Sequence, residues 1–296
     1  MRYNIFMSSR SSKITLALFV VCASVYPVFA SAHQPRIVET EDVTIVQPEI
    51  SKAYYGVLSG KPHIFHIESA EAFDLYVNIL VPDIAGQQND VSAIIMKHNT
   101  PAPLAVLGGV NGTWKPYFEE FGHDNYLQGA EYKAHVAAGE YEITLLSPNN
   151  ESKYALAVGE TEFFDMREGI NALAIIPGLK RNFFNESPAS FILSPFGIGY
   201  IVALYILAAL FGLLYRTMLR RVARRASSTS SRTLGKNIDH RGRLVRAAIG
   251  FVLLVLAITT SWSPFLLFVS GFSFFEAIFS WCGLYAAIGK STCPVD

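Results

Sequence analysis

The sequence is poor in cysteine: its 296 residues contain only Cys22, Cys282 and Cys293. A domain formed between these outer positions therefore cannot be held together by disulfide bonds. The segment is nevertheless long enough to bury a hydrophobic core. We expect its stability to come from that core, which argues against a small disulfide-rich fold.

Charged residues are also scarce, at 16% of the chain against 51% hydrophobic residues, and the mean hydropathy is +0.30. These values are typical of a chain that lies partly in a membrane. The first uncharged run is Ile14–Phe29, which follows three basic residues and precedes Ala30-Ser31-Ala32. A basic start, an apolar stretch and a small-residue cleavage site predict a signal peptide over residues 1–32.

The charges that are present are unevenly distributed, although the formal net charge is zero. Residues 33–193 hold 10 Lys or Arg against 21 Asp or Glu, whereas residues 216–246 hold 10 Lys or Arg against the single acid Asp239. The chain thus consists of an acidic block and a basic block that are joined by an apolar segment.

Alternating apolar and polar residues predict strands in the acidic block. Phe73–Ile79 and Glu140–Leu145 each alternate with a period of two, a pattern that buries one face of a sheet. Turn residues rich in Gly, Pro and Asn separate these runs from other short candidates. We therefore predict a mainly β domain over residues 33–162, built as a β-sandwich, and a connecting segment with a short helix over residues 163–194.

Two segments near the end of the acidic block, Ala138–Pro148 and Lys153–Gly159, have the pattern of closing strands. They resemble jelly-roll domains of the kind found beside secreted peptidases and among carbohydrate-binding modules. The resemblance implies a jelly-roll-like topology and says little about function.

The predicted β domain shows no set of catalytic residues. His63 and His66 are three apart in one predicted strand, so they point to opposite faces and do not share a metal ion. The acids Glu119, Glu120 and Asp124 lie among aromatic residues, and this loop either binds a sugar or calcium or is simply packed. We predict a module that binds a protein or a carbohydrate rather than an enzyme, with no metal and no cofactor.

Apolar runs in the rest of the chain predict an α-helical membrane region of three transmembrane helices. Residues 195–215 form the first helix, and residues 244–289 form a hairpin of two more. The basic residues 216–243 between them form a loop that should face the cytoplasm, by the positive-inside rule. The β domain is then extracytoplasmic and the tail, residues 290–296, is cytoplasmic. These features predict a multi-pass protein of the plasma (inner) membrane.

The basic loop begins with arginines at helical spacing: Arg216, Arg220, Arg221, Arg224 and Arg225. Their position next to the membrane favours contact with the lipid bilayer and a role in setting topology. Binding of nucleic acid is the alternative for such a cluster, and we do not predict it.

Polar residues of the hairpin are candidate site residues. Glu276 is ionisable and lies inside a predicted span, so it either joins two helices or takes part in transport. Cys282 is 17 residues past Phe265, and along a continuous helix it would lie near the inner membrane boundary. Cys293 lies beyond the helix end. Both thiols should be reduced, and they serve either as packing residues or as a thiol site.

The end of the chain carries a series of spaced motifs: Lys236-Asn237, Asp239–Arg246, Gly250, Cys282-Gly-Leu-Tyr285, Gly289 and Ser291-Thr-Cys-Pro294. These residues resemble the YgaP-like transmembrane domain family, with Gly283 in place of the usual proline. The resemblance implies an inner-membrane hairpin, a homodimer formed through it, and an association with rhodanese-type sulfur transferases. It adds a second hypothesis to the anchored binding module: a sulfur carrier or transporter that uses Cys282 or Cys293.

Overall fold

The computed structural model describes residues 33–163, 165–225 and 235–293, with side chains up to residue 222 in the helix that ends at Arg225. The predicted signal peptide lies outside these residues, as do residues 226–234 of the basic segment and residues 294–296 of the tail. The described chain forms two compact units that divide after Ser194.

The first unit is built from two β-sheets. One sheet has the strand order β1-β3-β11-β5-β9-β8, and the other has the order β2-β4-β10-β6-β7. The strands are β1 (Gln34–Ile37), β2 (Asp42–Ile45), β3 (Lys52–Val57), β4 (His63–Ser69), β5 (Phe73–Pro82), β6 (Ser92–Lys97), β7 (Ala105–Gly108), β8 (Lys115–Glu119), β9 (Asp124–Val136), β10 (Gly139–Leu146) and β11 (Lys153–Val158). The prediction of a mainly β domain is confirmed.

The hydrophobic core of this unit lies between the two sheets. Leu75, Val77 and Ile79 of β5 are fully buried and belong to the same core as Ile143 and Leu145 of β10. These are the apolar positions of the two alternating runs in the sequence. Burying each such side chain contributes roughly 1.5–3 kcal/mol, so the core stabilises the domain without disulfide bonds.

Residues 165–194 pack onto the outer face of the first sheet. Helix α1 (Met166–Gly178) is followed by a π-helical turn (Leu179–Phe183) and a 3-10 helix (Pro188–Leu193). The side chains of Leu179, Phe183 and Phe184 join a second buried cluster with Leu80 and Tyr126 of the sheet. The segment therefore belongs to the first unit, which ends at Ser194.

Ion pairs tie this segment to the sheet. Both terminal nitrogens of the Arg36 guanidinium, on β1, lie 2.9 Å from the carboxylate of Glu168 on α1. Lys180 Nζ lies 2.5 Å from Asp124 Oδ1, and these side chains are only 1% and 7% exposed. A buried charge without its partner is costly, so the Asp124–Lys180 pair fixes the position of the π-helical turn.

The second unit is helical. Its described helices are α2 (Pro195–Arg225), α3 (His240–Thr260), α4 (Pro264–Phe279) and α5 (Gly283–Ala287). Helix α2 does not end at Tyr215, because no Gly or Pro interrupts residues 216–225 and most of these residues favour a helix. The arginine cluster thus continues α2 and does not open a loop. Helix α3 also begins before residue 244, because the Asp239 carboxylate accepts a 2.9 Å hydrogen bond from the Gly242 N–H and caps it.

Two of these helices are long and apolar enough to cross a membrane, over Pro195–Val222 and His240–Thr260. Helix α4 has 16 residues, which corresponds to a length of about 24 Å. This is shorter than the hydrocarbon layer of roughly 30 Å. The described residues therefore contain two clear candidate spans where the sequence predicts three.

The predicted continuous helix from Phe265 to Gly289 is interrupted. Ser280 has a φ of 52°, in the left-handed region, and ends α4. Cys282 lies in the extended backbone that follows and precedes the short helix α5. The expectation that places Cys282 along an unbroken helix is therefore wrong.

Close contacts pack the helices of the second unit. Gly212 on α2 leaves space for the ring of Phe275 on α4, and a Cβ atom at residue 212 would overlap that ring. The Ser270 hydroxyl on α4 donates a 2.7 Å hydrogen bond to the carbonyl of Gly250 on α3. Such a bond satisfies a polar group among apolar helices, where an unpaired one is expensive.

Candidate functional site

Polar groups converge where α4 ends. Glu276, in the last turn of α4, pairs with Arg246 in the second turn of α3, with 3.1 Å between Oε2 and Nε. The other oxygen of Glu276 accepts a 2.7 Å hydrogen bond from the N–H of Gly283, the first residue of α5. The side chains of Arg246 and Glu276 are only 14% and 12% exposed. Glu276 thus connects α3, α4 and α5.

Arg246 also faces a thiol. Its guanidinium interacts with the side chains of Cys282 and Tyr285, and its central carbon lies 5.0 Å from the centre of the Tyr285 ring. Cys282 is 3% exposed. From the sequence, Arg246 is only one of the positive charges that precede the hairpin. Its partners are 30 or more positions away, so the sequence gives no signal for this cluster.

Asn237 holds the break that carries Cys282. Its Oδ1 accepts a 2.7 Å hydrogen bond from the Cys282 N–H, and its Nδ2 donates to the Cys282 carbonyl at 3.0 Å. The Asn237 carbonyl accepts a 3.0 Å hydrogen bond from the N–H of Thr292. We call these contacts the Asn237 clamp. They bring together three motif segments that are far apart in the sequence.

The second cysteine lies beside the same segment. Cys293 is partly exposed, and its Sγ lies 3.6 Å from the carbonyl oxygen of Lys236. Cys282 and Cys293 therefore contact adjacent residues, Asn237 and Lys236. Both cysteines are free thiols.

The arginine cluster is spread along α2. The Arg216 guanidinium carbon lies 5.9 Å from the centre of the Trp281 ring, so this residue takes part in packing at the end of the hairpin. Arg221 is exposed, whereas Arg220 is partly buried. Arg224 and Arg225 complete the last turn of α2, and their side chains lie outside the described part of the chain.

The aromatic and acidic loop of the first unit is packed. The Glu119 carboxylate accepts hydrogen bonds of 2.7 and 2.6 Å from the N–H groups of Phe121 and Gly122. Burial raises the pKa of Glu119, and these two backbone hydrogen bonds oppose the rise. Asp124 is paired with Lys180, so both carboxylates are used within the fold, which disfavours the calcium interpretation. Within the described residues, no group of three or more His, Cys, Asp or Glu side chains is placed to hold a metal ion.

The two strand histidines lie on opposite faces of β4. His63 is buried, and its Nδ1 lies 2.6 Å from the hydroxyl oxygen of Tyr154. His66 is exposed, and its Nε2 lies 3.3 Å from Asp42 Oδ1. Burial lowers the pKa of His63, with the Glu41 charge opposing the decrease.

A two-sheet β unit followed by long apolar helices indicates a membrane protein with a β-rich domain. Residues 234–296 match the family described as inner membrane protein YgaP-like, transmembrane domain. The match confirms the resemblance seen in the sequence and covers about a fifth of the chain. It includes α3, α4, α5 and the Asn237 clamp.

The other comparisons with known proteins are distant. None of the curated proteins matches the chain significantly. The pre-peptidase C-terminal domain of collagenase from Bacillus anthracis is similar with a TM-score of 0.24 and 11% identity, over 43% of this chain and 95% of that one. A β-glucosidase from Paenibacillus barengoltzii is similar with a TM-score of 0.22 and 13% identity, over 43% of this chain and 13% of that one.

Proposed function

We propose that the chain is an inner-membrane protein whose β unit lies outside the cytoplasm as a binding or interaction module, anchored by three membrane crossings. The observation that carries this proposal is the separation of an acidic β unit from a basic segment by a long apolar helix. Positive charge is retained on the cytoplasmic side of a membrane. The basic residues that end α2 and begin α3 therefore support a cytoplasmic position for that connection.

The third crossing is supported by the helices that follow α3. Helix α4 alone is shorter than the hydrocarbon layer. The non-helical residues 280–282 and helix α5 continue the apolar segment beyond it. The Asn237 clamp holds the end of this segment beside the start of α3, because Asn237 forms hydrogen bonds with both Cys282 and Thr292. The beginning and the end of the hairpin then lie at the same membrane surface.

Cysteine accessibility tests this topology. In a background with Cys22, Cys282 and Cys293 changed to Ser, a single cysteine is introduced as Ser59→Cys, Arg221→Cys or Lys290→Cys, all at exposed positions. A membrane-impermeant maleimide should label Ser59→Cys in intact cells, and the other two only after lysis. Labelling of Lys290→Cys in intact cells would show that α4 does not cross. Labelling of Arg221→Cys in intact cells would show that the protein has the opposite orientation in the membrane.

We infer sulfur handling as a second candidate function, because the buried Cys282 thiol belongs to the polar cluster that contains Arg246 and Glu276. The thiolate is the nucleophilic form of a cysteine. In the proposed step, the Cys282 thiolate attacks the outer sulfur of thiosulfate. The S–S bond of thiosulfate breaks, a persulfide forms on Cys282, and sulfite leaves with the electron pair of the broken bond.

Intact mass tests the sulfur hypothesis. The detergent-solubilised protein is incubated with thiosulfate, and its mass is measured before and after treatment with a reductant. A gain of one sulfur atom that the reductant removes and that Cys282→Ser abolishes would support a persulfide. Cys293→Ser is the matched control for the second thiol. If the wild-type protein gains no sulfur, the candidate function is wrong.

A further inference from the structure

We propose that the outer face of the first sheet binds a neutral saccharide in a pocket walled by tyrosines. This inference rests on the proposed function, since it names the ligand class of the binding module. The lining of this tyrosine pocket includes Tyr55, Tyr76, Asn78, Tyr117, Gln128 and Ala157.

The tyrosine pocket exists because residues 179–184 cover only part of the sheet. Their side chains lie over Leu80 and Tyr126, and they leave a solvent-open concavity of about 90 Å³ beside them. Its lining combines small residues, such as Ala53 and Ala157, with large aromatic residues. The volume suits one ring of a longer chain better than a whole large ligand.

The buried side-chain amide of Asn78, which lines the pocket, makes only long hydrogen bonds. Asn78 is 1% exposed. Among the described residues it donates to the Gly129 carbonyl at 3.5 Å and accepts from Gln128 Nε2 at 3.4 Å. Both distances are at the outer limit for hydrogen bonds, and an amide can donate two hydrogen bonds and accept two. A buried polar group normally has good partners, so a hydroxyl group of a ligand would complete this site.

The charges around the pocket select a neutral ligand. None of the described residues that line it is Lys or Arg, and burial lowers the pKa of His33, the histidine in the lining. The unit is also acidic, which disfavours an anion. The one acid in the lining, Glu119, already accepts two backbone hydrogen bonds. Its carboxylate is therefore a poor counter-ion for a bound cation.

The aromatic walls suit the ring of a sugar. The Tyr117 side chain remains 39% exposed in the rim of the pocket. A tyrosine offers an apolar ring face and a polar hydroxyl, and a pyranose likewise has apolar C–H faces and hydroxyl edges. Stacking on Tyr117 with hydrogen bonds to Asn78 and Gln128 would satisfy both surfaces of the sugar.

Ligand-detected NMR on the full-length protein tests the proposal. The protein is purified in a polyoxyethylene detergent, because a detergent with a sugar head group would compete. Maltotriose and tri-N-acetylchitotriose are the probes, and choline chloride is the cationic comparison. Saturation transfer should reach the ring protons of at least one trisaccharide, and its affinity should fall about tenfold in Tyr117→Ala and in Gln128→Ala.

Phe118→Ala is the matched control. Phe118 is the neighbour of Tyr117 on β8, is 45% exposed and does not line the pocket, so this variant should bind like the wild type. Circular dichroism confirms that each variant is folded. No binding of either trisaccharide, an equal loss in Phe118→Ala, or Tyr117-dependent binding of choline would overturn the proposal. An extracytoplasmic, folded β unit that binds neither sugar would refute only this inference and would leave the proposed topology intact.

Discussion

At the residue scale, the Arg246–Glu276 pair has a large energetic consequence. Two charges removed from water cost several kcal/mol each, and their attraction offsets this cost only when the remaining donors and acceptors are also satisfied. Here the second Glu276 oxygen accepts the Gly283 N–H, and Arg246 interacts with Cys282 and Tyr285. Removal of one charge should therefore disturb the whole end of the hairpin.

We predict that Glu276→Gln lowers the stability of the helical unit by about 1–3 kcal/mol, because Arg246 loses its counter-charge. Glutamine keeps an oxygen for the Gly283 N–H, so the change isolates the charge. Thermal unfolding in detergent, followed by circular dichroism of the full-length protein, measures the effect. The double variant Arg246→Gln/Glu276→Gln should recover part of the loss, and simply additive losses would show that the pair is not coupled.

We also predict that the free energy of unfolding of the β unit depends on pH through the protonation of His63. Because burial lowers its pKa in the folded unit, the unfolded chain takes up the proton first as the pH falls through about 6.5. The contribution of neutral His63 to stability is complete above that pH and is lost progressively below it. The free energy of unfolding of the β unit should fall by up to about 1.4 kcal/mol per pH unit from this residue alone.

Hydrogen exchange of the β10 amides between pH 7 and 5, corrected for intrinsic rates, measures this dependence. His63→Gln should flatten it, because glutamine keeps a polar partner for the Tyr154 hydroxyl and does not titrate. His66→Gln is the matched substitution on the exposed face of the same strand and controls for the loss of a histidine. If His63→Gln and the wild type respond to pH identically, His63 is not the titrating group.

At the scale of elements, sequence periodicity predicts the central strands and misses the edges. The first half of strand β5 can be predicted because buried residues alternate there with exposed or partly buried ones, whereas each residue of β8 is exposed or only partly buried. An edge strand with little burial has no pattern to detect. Strands β1 and β2 pair in parallel with β3 and β4, and such pairing depends on the tertiary fold.

In the hairpin, too, the sequence predicts only part of the candidate site. Composition identifies Glu276 as unusual, because a carboxylate in an apolar helix is expensive. It does not identify Arg246 as the partner of Glu276, or Asn237 as the partner of Cys282, since these residues come together only when the hairpin closes. The helix break at Ser280 is also hidden, because serine gives no strong signal for a left-handed conformation.

We predict that Asn237→Ala loosens the non-helical segment that contains Cys282. The Cys282 N–H and carbonyl lose their side-chain partners, and an unpaired buried polar group costs about 1–3 kcal/mol. The buried thiol should then react with a small maleimide at least several-fold faster than in the wild type. The rate is measured in the Cys22→Ser/Cys293→Ser background. Lys236→Ala is the neighbouring control, and an unchanged rate in Asn237→Ala would show that the clamp does not protect the thiol.

At the scale of the whole molecule, charge and fold divide the chain at nearly the same place. The acidic block covers residues 33–193, and the first compact unit ends at Ser194. Pro195 then begins α2, where a proline in the first turn costs no hydrogen bond. The two-part organisation could be predicted from the sequence for this reason. The docking of residues 165–194 onto the sheet could not, because it depends on pairs such as Arg36–Glu168.

We predict that the two units unfold independently, because each contains its own packed interior. Leu75→Ala removes a fully buried side chain from the β core and should cost about 3 kcal/mol in that unit. Gly212→Ala places a methyl group against Phe275 and should destabilise the helices by about 1–3 kcal/mol. Hydrogen exchange of the full-length protein in detergent reports on both units at once. Leu75→Ala should accelerate exchange in β10 but not in α4, and Gly212→Ala should do the reverse. Faster exchange in both units from either variant would show that the chain unfolds as one cooperative structure.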